Sequence, residues 1–228
     1  MGDLEAEKAL AAAAAVREVR EGMLVGLGTG STAAHAVRQL GVRVTAGLRI
    51  RATSTSLATE QLARSVGLEL LPFETVSRVD LTIDGADEID RTLRAIKGGG
   101  GALLREKIVA AASDRTIIIA DSSKLVSVLG LGVRLPLEVL PFASAFVERT
   151  LLARGFTPTK RRLANGLEFR TDQQNYVFDV EVGTIHNPGE LARWLEALPG
   201  VLEHGLFVSE IDELLIGRSQ GVEVIHRQ

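Results

Sequence analysis

The run TIIIAD at residues 116–121 constrains the fold more than any other stretch. Three consecutive isoleucines leave no polar alternation, so a strand here must be buried on both faces. A parallel sheet with helices laid on either side supplies that environment. The rest of the N-terminal half follows the same plan. Apolar segments at 23–27, 48–52 and 79–84 each run into glycine or hydroxyl and acid residues. Helices are expected at 4–21, from the 29–33 loop to just before Gly41, at 57–66 and after residue 101, with a further strand at 68–71. Strands alternating with helices in this way imply an α/β protein with a doubly wound, mostly parallel, Rossmann-like sheet.

From about residue 131 the pattern changes. Prolines at 136 and 141, a helical stretch at 142–154, strands near 157–163, 167–171 and 176–182, a helix at 189–197 and a segment at 201–207 read as β-α-β-β-α-β, the ferredoxin-like split unit. The tail, 210–215 then 222–226, is expected to return to the first sheet as a helix and a strand. The expected organisation is therefore a catalytic Rossmann-like unit of residues 1–130 plus 206–228 and a smaller α+β ferredoxin-like unit of 131–205.

Composition narrows the chemistry. A net charge of −3 and only nine aromatics argue against nucleic acid as a partner, which calls for a basic face and stacking platforms. No cysteine occurs, which excludes disulfides, thiolate metal sites and thiol catalysis. His35, His186, His204 and His226 show no metal-ligand spacing, so no histidine metal site is expected. The N-terminal stretch is a charged, alanine-rich helix rather than an apolar span, so no membrane is expected and a cytoplasmic location is the default.

Chemistry concentrates at three predicted strand ends. The first is GLGTGSTA at 26–33, in which Thr29, Gly30, Ser31 and Thr32 open a helix and offer amides and hydroxyls to a phosphate. A dinucleotide fingerprint does not fit, because Ser31 stands where the third glycine belongs and no acid follows the second strand. The second is DGADEIDRTLRAIKGGGGALLREK at 84–107. It supplies Asp84, Gly85, Ala86 and Asp87 at a strand end, then Lys97, then Gly98, Gly99, Gly100 and Gly101 as an oxyanion cradle before a helix carrying Glu106. On a helical wheel Leu104, Ile108 and Ala111 cluster away from Glu106, which is read as facing a cleft or water rather than the core. The third is DSSK at 121–124, ending in Lys124.

These motifs, GLGTGSTA, TSTS at 53–56, DGADEID, KGGGGALLREK and DSSK, in this order and spacing, resemble the ribose-5-phosphate isomerase A family over roughly residues 1–130. The resemblance implies interconversion of D-ribose 5-phosphate and D-ribulose 5-phosphate in the non-oxidative pentose phosphate pathway, without metal or nucleotide, in a homodimer or homotetramer. Carried over position by position, it implies Glu106 as the general base, with Asp84, Asp87 and Lys97 catalytic. Thr29, Gly30, Ser31, Thr32, Asp84, Gly85, Ala86, Asp87, Lys97, Gly98, Gly99, Gly100 and Lys124 would then bind the phosphosugar. The place of Lys8 relative to the phosphate is left open. Gly101 stands where many relatives have alanine, a difference expected to leave the cradle unaffected. A non-catalytic sugar-phosphate sensor is the alternative reading, and a Mg²⁺-dependent phosphoryl transferase is a third; the first lacks a DNA-binding module and the second a nucleotide loop.

Overall fold

A computed structural model describes residues 3–227; residues 1, 2 and 228, at the ends of the first predicted unit, lie outside it. The chain runs α1 (Leu4–Arg17), β1 (Leu24–Leu27), α2 (Ser31–Thr45), β2 (Arg51–Ser54), α3 (Leu57–Ser65), β3 (Leu81–Asp84), β4 (Glu88–Ile89), β5 (Ala95–Ile96), α4 (Leu103–Ala111) and β6 (Thr116–Asp121). It continues through β7 (Leu135–Val139), α5 (Ser144–Ala153), β8 (Thr157–Lys160), β9 (Tyr176–Glu181), α6 (Pro188–Glu196), β10 (Val201–His204), β11 (Leu206–Phe207), β12 (Glu213–Arg218) and β13 (Gly221–His226).

The six-stranded sheet has the order β13-β12-β6-β3-β1-β2, parallel throughout except for the β12–β13 hairpin at its edge. β6 lies between β3 and β12, and its isoleucines divide by parity. Ile117 and Ile119 pack with α1, α2 and α3, whereas Ile118 and Ala120 pack on the opposite face with Ala110 of α4 and with Phe207. Each fully buried isoleucine contributes about 1.5–3 kcal/mol of transfer free energy. α1 approaches the sheet closely because Ala11, Ala12 and Ala15 are its contact residues, and Asp3 caps it by accepting from the Glu5 and Ala6 amides.

The second sheet, β10-β7-β9-β8, is antiparallel throughout, and its β-α-β-β-α-β chain order is the split unit expected. A third, short sheet, β11-β5-β4, joins the two. Its last strand is the continuation of β10: the segment expected as one strand at 201–207 is divided at Gly205, whose amide bonds Pro136 O and whose carbonyl accepts from Lys97 N.

Several expected boundaries move. α1 stops at Arg17 rather than Glu21. α2 runs through Gly41 to Thr45, because this glycine is a close-approach residue and not a stop: a Cβ there would come 2.6 Å from Val66 Cβ. Residues 68–71 and 167–171 form single bridges, Ala52 to Leu70 and Arg162 to Glu168, rather than strands. The helix expected at 210–215 is instead the start of β12. Leu214, Leu215 and Ile216 are buried on both faces and pair in parallel with β6, so sheet burial overrides the local pattern.

Gly41 yields a prediction of sign. In an open helix interior, Gly→Ala stabilises by up to about 1 kcal/mol. Here overlap with Val66 should make Gly41→Ala destabilising by about 1–2 kcal/mol in urea unfolding; a stabilised variant would refute the close-packing role.

Candidate active site

Three parallel strands deliver their carboxyl ends to one place. β1 runs into Gly28 and Thr29, β3 ends at Asp84, and β6 ends at Asp121, the first residue of a short turn carrying Lys124. Gly28 is obligatory at the first junction, since a Cβ would lie 2.5 Å from Asp84 Cα. Gly30, at φ +112°, caps α2 without a side chain. The helix N-terminus with its dipole therefore opens onto the shared space. The third junction is tied down from α1, where the buried Glu7 carboxylate accepts from Ser122 N at 2.8 Å.

The predicted residues at 29–32, 85–87 and 97–100, with Glu106 and Lys124, all line one cavity of about 100 Å³. Asp84 does not. It sits behind Lys97 with both oxygens occupied: Oδ1 accepts from Thr29 N at 3.0 Å and Gly85 N at 2.7 Å, and Oδ2 pairs with Lys97 Nζ at 2.9 Å. The resemblance places Asp84 at the substrate; in this structure it stands buried behind the cavity wall. A strand-end carboxylate 2% exposed is consumed in holding the loop and the ammonium.

Lys97 Nζ also donates to Gly85 O at 2.5 Å and lies 3.3 Å from Glu106 Oε2. That last contact is an ion pair outside hydrogen-bond alignment, and Glu106 Oε2 is left buried without a hydrogen-bond partner. Burial pushes the Glu106 carboxyl up to about 8, opposed by Lys97 and reinforced by the Asp84 charge. Burial pulls Lys97 down, but Asp84 and Glu106 more than offset it and hold the ammonium firmly charged. A carboxyl with an unoccupied oxygen, beside a fixed cation at a cavity wall, is suited to moving a proton.

The glycine loop is a turn closed by Gly101 N on Gly98 O at 2.8 Å. Gly98 and Gly101 take φ of +100° and +79°, and a Cβ on Gly99 would lie 2.7 Å from Asp87 Oδ1. Gly99 N instead donates to Asp87 Oδ2 at 2.8 Å. Alanine at 101 is not neutral in this chain: the φ is unfavourable, and the added atom would come 2.5 Å from Phe169 Cζ.

Other sequence expectations resolve differently. The acidic cluster disperses, with Glu88 binding the Gly130 and Gly132 amides and Asp90 closing the β4–β5 turn. Glu106 lines the cavity, the cleft position expected of it, but the apolar side of α4 differs from the one expected. Leu103, Glu106, Val109 and Ala110 are its buried residues, whereas Leu104 and Ile108 border a separate apolar hollow of about 450 Å³ on the far side. The Thr29 hydroxyl turns inward to Thr55, Ser56 and Thr59 at 2.8, 2.8 and 3.3 Å, which leaves Ser31, Thr32 and the loop amides to face a ligand. Within TSTS, Ser56 caps α3, and Thr55 and Ser56 brace the first loop. Lys8 pairs with Glu5 at 2.6 Å and does not line the cavity. Among the described residues no cluster of three or more His, Asp or Glu is arranged to hold a metal ion, and no helix is long and apolar enough to cross a membrane.

A parallel sheet whose strand ends gather amide-rich loops, a raised carboxyl and a buried ammonium defines an α/β enzyme site for a small anionic molecule. Residues 51–221 match the family described as ribose 5-phosphate isomerase A (phosphoriboisomerase A). The ribose-5-phosphate isomerase A of Sphingopyxis alaskensis is 58% identical over 100% of this chain and 99% of its own. That of Parvibaculum lavamentivorans is 47% identical over 96% and 97%. A D-ribose-5-phosphate isomerase structure in complex with phospho-erythronic acid superposes with a TM-score of 0.96 at 31% identity, covering 99% of this chain and 100% of its own. The chain belongs to the ribose 5-phosphate isomerase A family.

Lys97→Met strips the cation from two buried carboxylates. Breaking a buried pair in this way costs about 3–5 kcal/mol, to be read by urea unfolding at pH 8; a loss below about 1 kcal/mol would show that the cluster does not depend on Lys97.

Proposed function

We propose that this chain interconverts D-ribose 5-phosphate and D-ribulose 5-phosphate through a cis-enediolate, with Glu106 as the base. The observation that carries this reading is the Glu106 carboxyl, sequestered at the cavity wall with Oε2 unpartnered and 3.3 Å from Lys97 Nζ. In the open-chain aldose, Glu106 takes the proton from C2, and the electron pair forms the C1–C2 double bond as the carbonyl oxygen O1 becomes anionic. Glu106 then returns the proton to C1 while the O2 hydroxyl proton passes to O1, leaving the ketone at C2. One carboxylate on one face performs both carbon transfers.

Lys97 and the glycine-loop amides face the developing oxyanion. Asp87, which lines the cavity, shuttles hydroxyl protons and opens the furanose ring. Asp84 acts through Lys97. Ser31, Thr32, the α2 N-terminus and Lys124 take the phosphate, whose binding energy positions C1 and C2. The related structure holding phospho-erythronic acid supports phosphosugar binding here. The hydrogen transfer is internal and redox-neutral, so the chemistry requires no cofactor.

Within the same proposal, residues 1–130 and 206–228 form the catalytic unit and 131–205 the smaller one. The enzyme works in the cytoplasm as a homodimer or homotetramer, in the non-oxidative pentose phosphate pathway.

Direct assay of ribose 5-phosphate conversion with EDTA present tests the reaction; activity abolished by the chelator would overturn the metal-free mechanism. Glu106→Gln should lower kcat by about 10² or more while phospho-erythronic acid still binds, and undiminished turnover would remove Glu106 from its role.

The pH profile is a separate check. A carboxyl raised to about 8 keeps its proton until the pH passes that value. The base form is therefore scarce in acid, and kcat/KM should climb through neutrality and level off above about pH 8. A plateau already reached near pH 5 would contradict it.

A further inference from the structure

The glycine loop is held from outside its own sheet. Arg161, immediately after β8, donates through Nη1 to Gly98 O at 3.2 Å and Gly99 O at 3.0 Å. Its guanidinium is anchored from behind by Asp179 of β9, with Nε to Oδ2 at 2.8 Å and Nη2 to Oδ1. The Phe169 ring lies 5.5 Å from that guanidinium and fills the space beside Gly101. The Arg161 side chain is 15% exposed and does not line the cavity.

A trans peptide sets its carbonyl and its N–H on opposite sides, and no cis peptide occurs among the described residues. Drawing the Gly98 and Gly99 carbonyls toward Arg161 therefore turns the amides of Gly99 and Gly100 the other way. Gly99 N meets Asp87. Gly100 N has no acceptor among the described residues, and Gly100 borders the cavity. In a run of four glycines the peptide planes rotate at little steric cost, so an external hold selects their orientation.

We infer that Arg161, anchored by Asp179, is a positioning residue for the reaction: it fixes the peptide planes of residues 98–100 so that the Gly100 amide is presented to the developing oxyanion and the Gly99 amide holds Asp87. The inference rests on the isomerase reading above. It assigns residues 131–205 a part in catalysis, although they supply no side chain to the cavity wall. A guanidinium suits the task because its planar fork spans two carbonyls and a carboxylate at once, which an ammonium does not.

The test uses the full chain and compares wild type with Arg161→Met, Arg161→Ala, Arg161→Lys, Asp179→Asn and, as a control, Arg170→Met. Outright removal of an oxyanion donor costs about 10² to 10³ in kcat, so a misaimed one in Arg161→Met should cost about 10- to 100-fold. KM should stay within about threefold, because the phosphate end is untouched. Arg161→Lys should restore little, and added methylguanidinium should recover part of the rate in Arg161→Ala. Amide exchange should quicken at residues 99–101 and stay unchanged in α4. Arg170→Met, which alters a neighbouring arginine bonded to Tyr176 and Gln174, should leave kcat intact.

A folded Arg161→Met with unchanged kcat overturns the inference, as does an equal loss in Arg170→Met. If Arg161→Met does not fold, Asp179→Asn decides: it keeps the guanidinium but frees it, and an unchanged kcat there refutes the positioning role. A wild-type chain inactive on ribose 5-phosphate would remove the isomerase reading and this inference together, whereas an active wild type with indifferent variants removes the inference alone.

Discussion

The site depends on an ammonium buried between two buried carboxylates. Lys97, Asp84 and Glu106 are each about 97–98% sequestered, and every ion taken out of water costs several kcal/mol before its partners offset it. The arrangement holds because each partner is fixed from another direction. Asp84 is pinned by the Thr29 and Gly85 amides, Lys97 by the Gly85 carbonyl and by backbone pairing to Gly205, and Glu106 by its place on the inner face of α4. Burial raises the affinity of Glu106 for a proton, and the Asp84 charge adds to that against the pull of Lys97, which brings the carboxyl into the range useful near neutral pH.

The surrounding fold serves this cluster. The parallel sheet brings the loops after β1, β3 and β6 to one end, and its two covered faces make the strands rigid enough to hold carboxylates at fixed distances. The short sheet β11-β5-β4 returns the chain to Lys97. The antiparallel unit reaches the same segment through Gly205 and through Arg161. Cation, glycine loop and base therefore lie on one continuous stretch, 97–106, gripped from both units of the molecule.

Much of this was legible in the residues. Parity-free isoleucines at 117–119 required burial on both faces, and the glycine and hydroxyl residues after each strand marked the ligand end of the sheet. The β-α-β-β-α-β unit was readable from about residue 131 in its helix periods and strand spacing, although the strand at Leu135–Val139 was not singled out and 167–171 forms only a bridge. Other features were not readable, for identifiable reasons. The 210–215 segment has local signals compatible with a helix and becomes a strand only because β6 offers a partner. The wheel of α4 set Glu106 at a cleft, where it lies, but could not show that the cleft wall buries it beside Lys97. Arg161 carries no local signal at all; it is one arginine among twenty-one until the fold sets it against two glycine carbonyls.

By itself, then, the chain's chemistry settled which residue types stand at strand ends: their order along a polymer restricts where a sheet can place them, and a glycine run or a strand-terminal acid announces its local purpose. Tertiary structure alone decided how those groups divide the work, with Asp84 spent on Lys97, Asp87 left at the cavity, the Thr29 hydroxyl turned inward and Glu106 Oε2 ion-paired with Lys97 but without a hydrogen bond. Charge balance and hydrogen-bond saturation are properties of neighbours in space, and those neighbours are separated by 9 to 22 residues in Asp84, Lys97 and Glu106 and by 63 between Gly98 and Arg161.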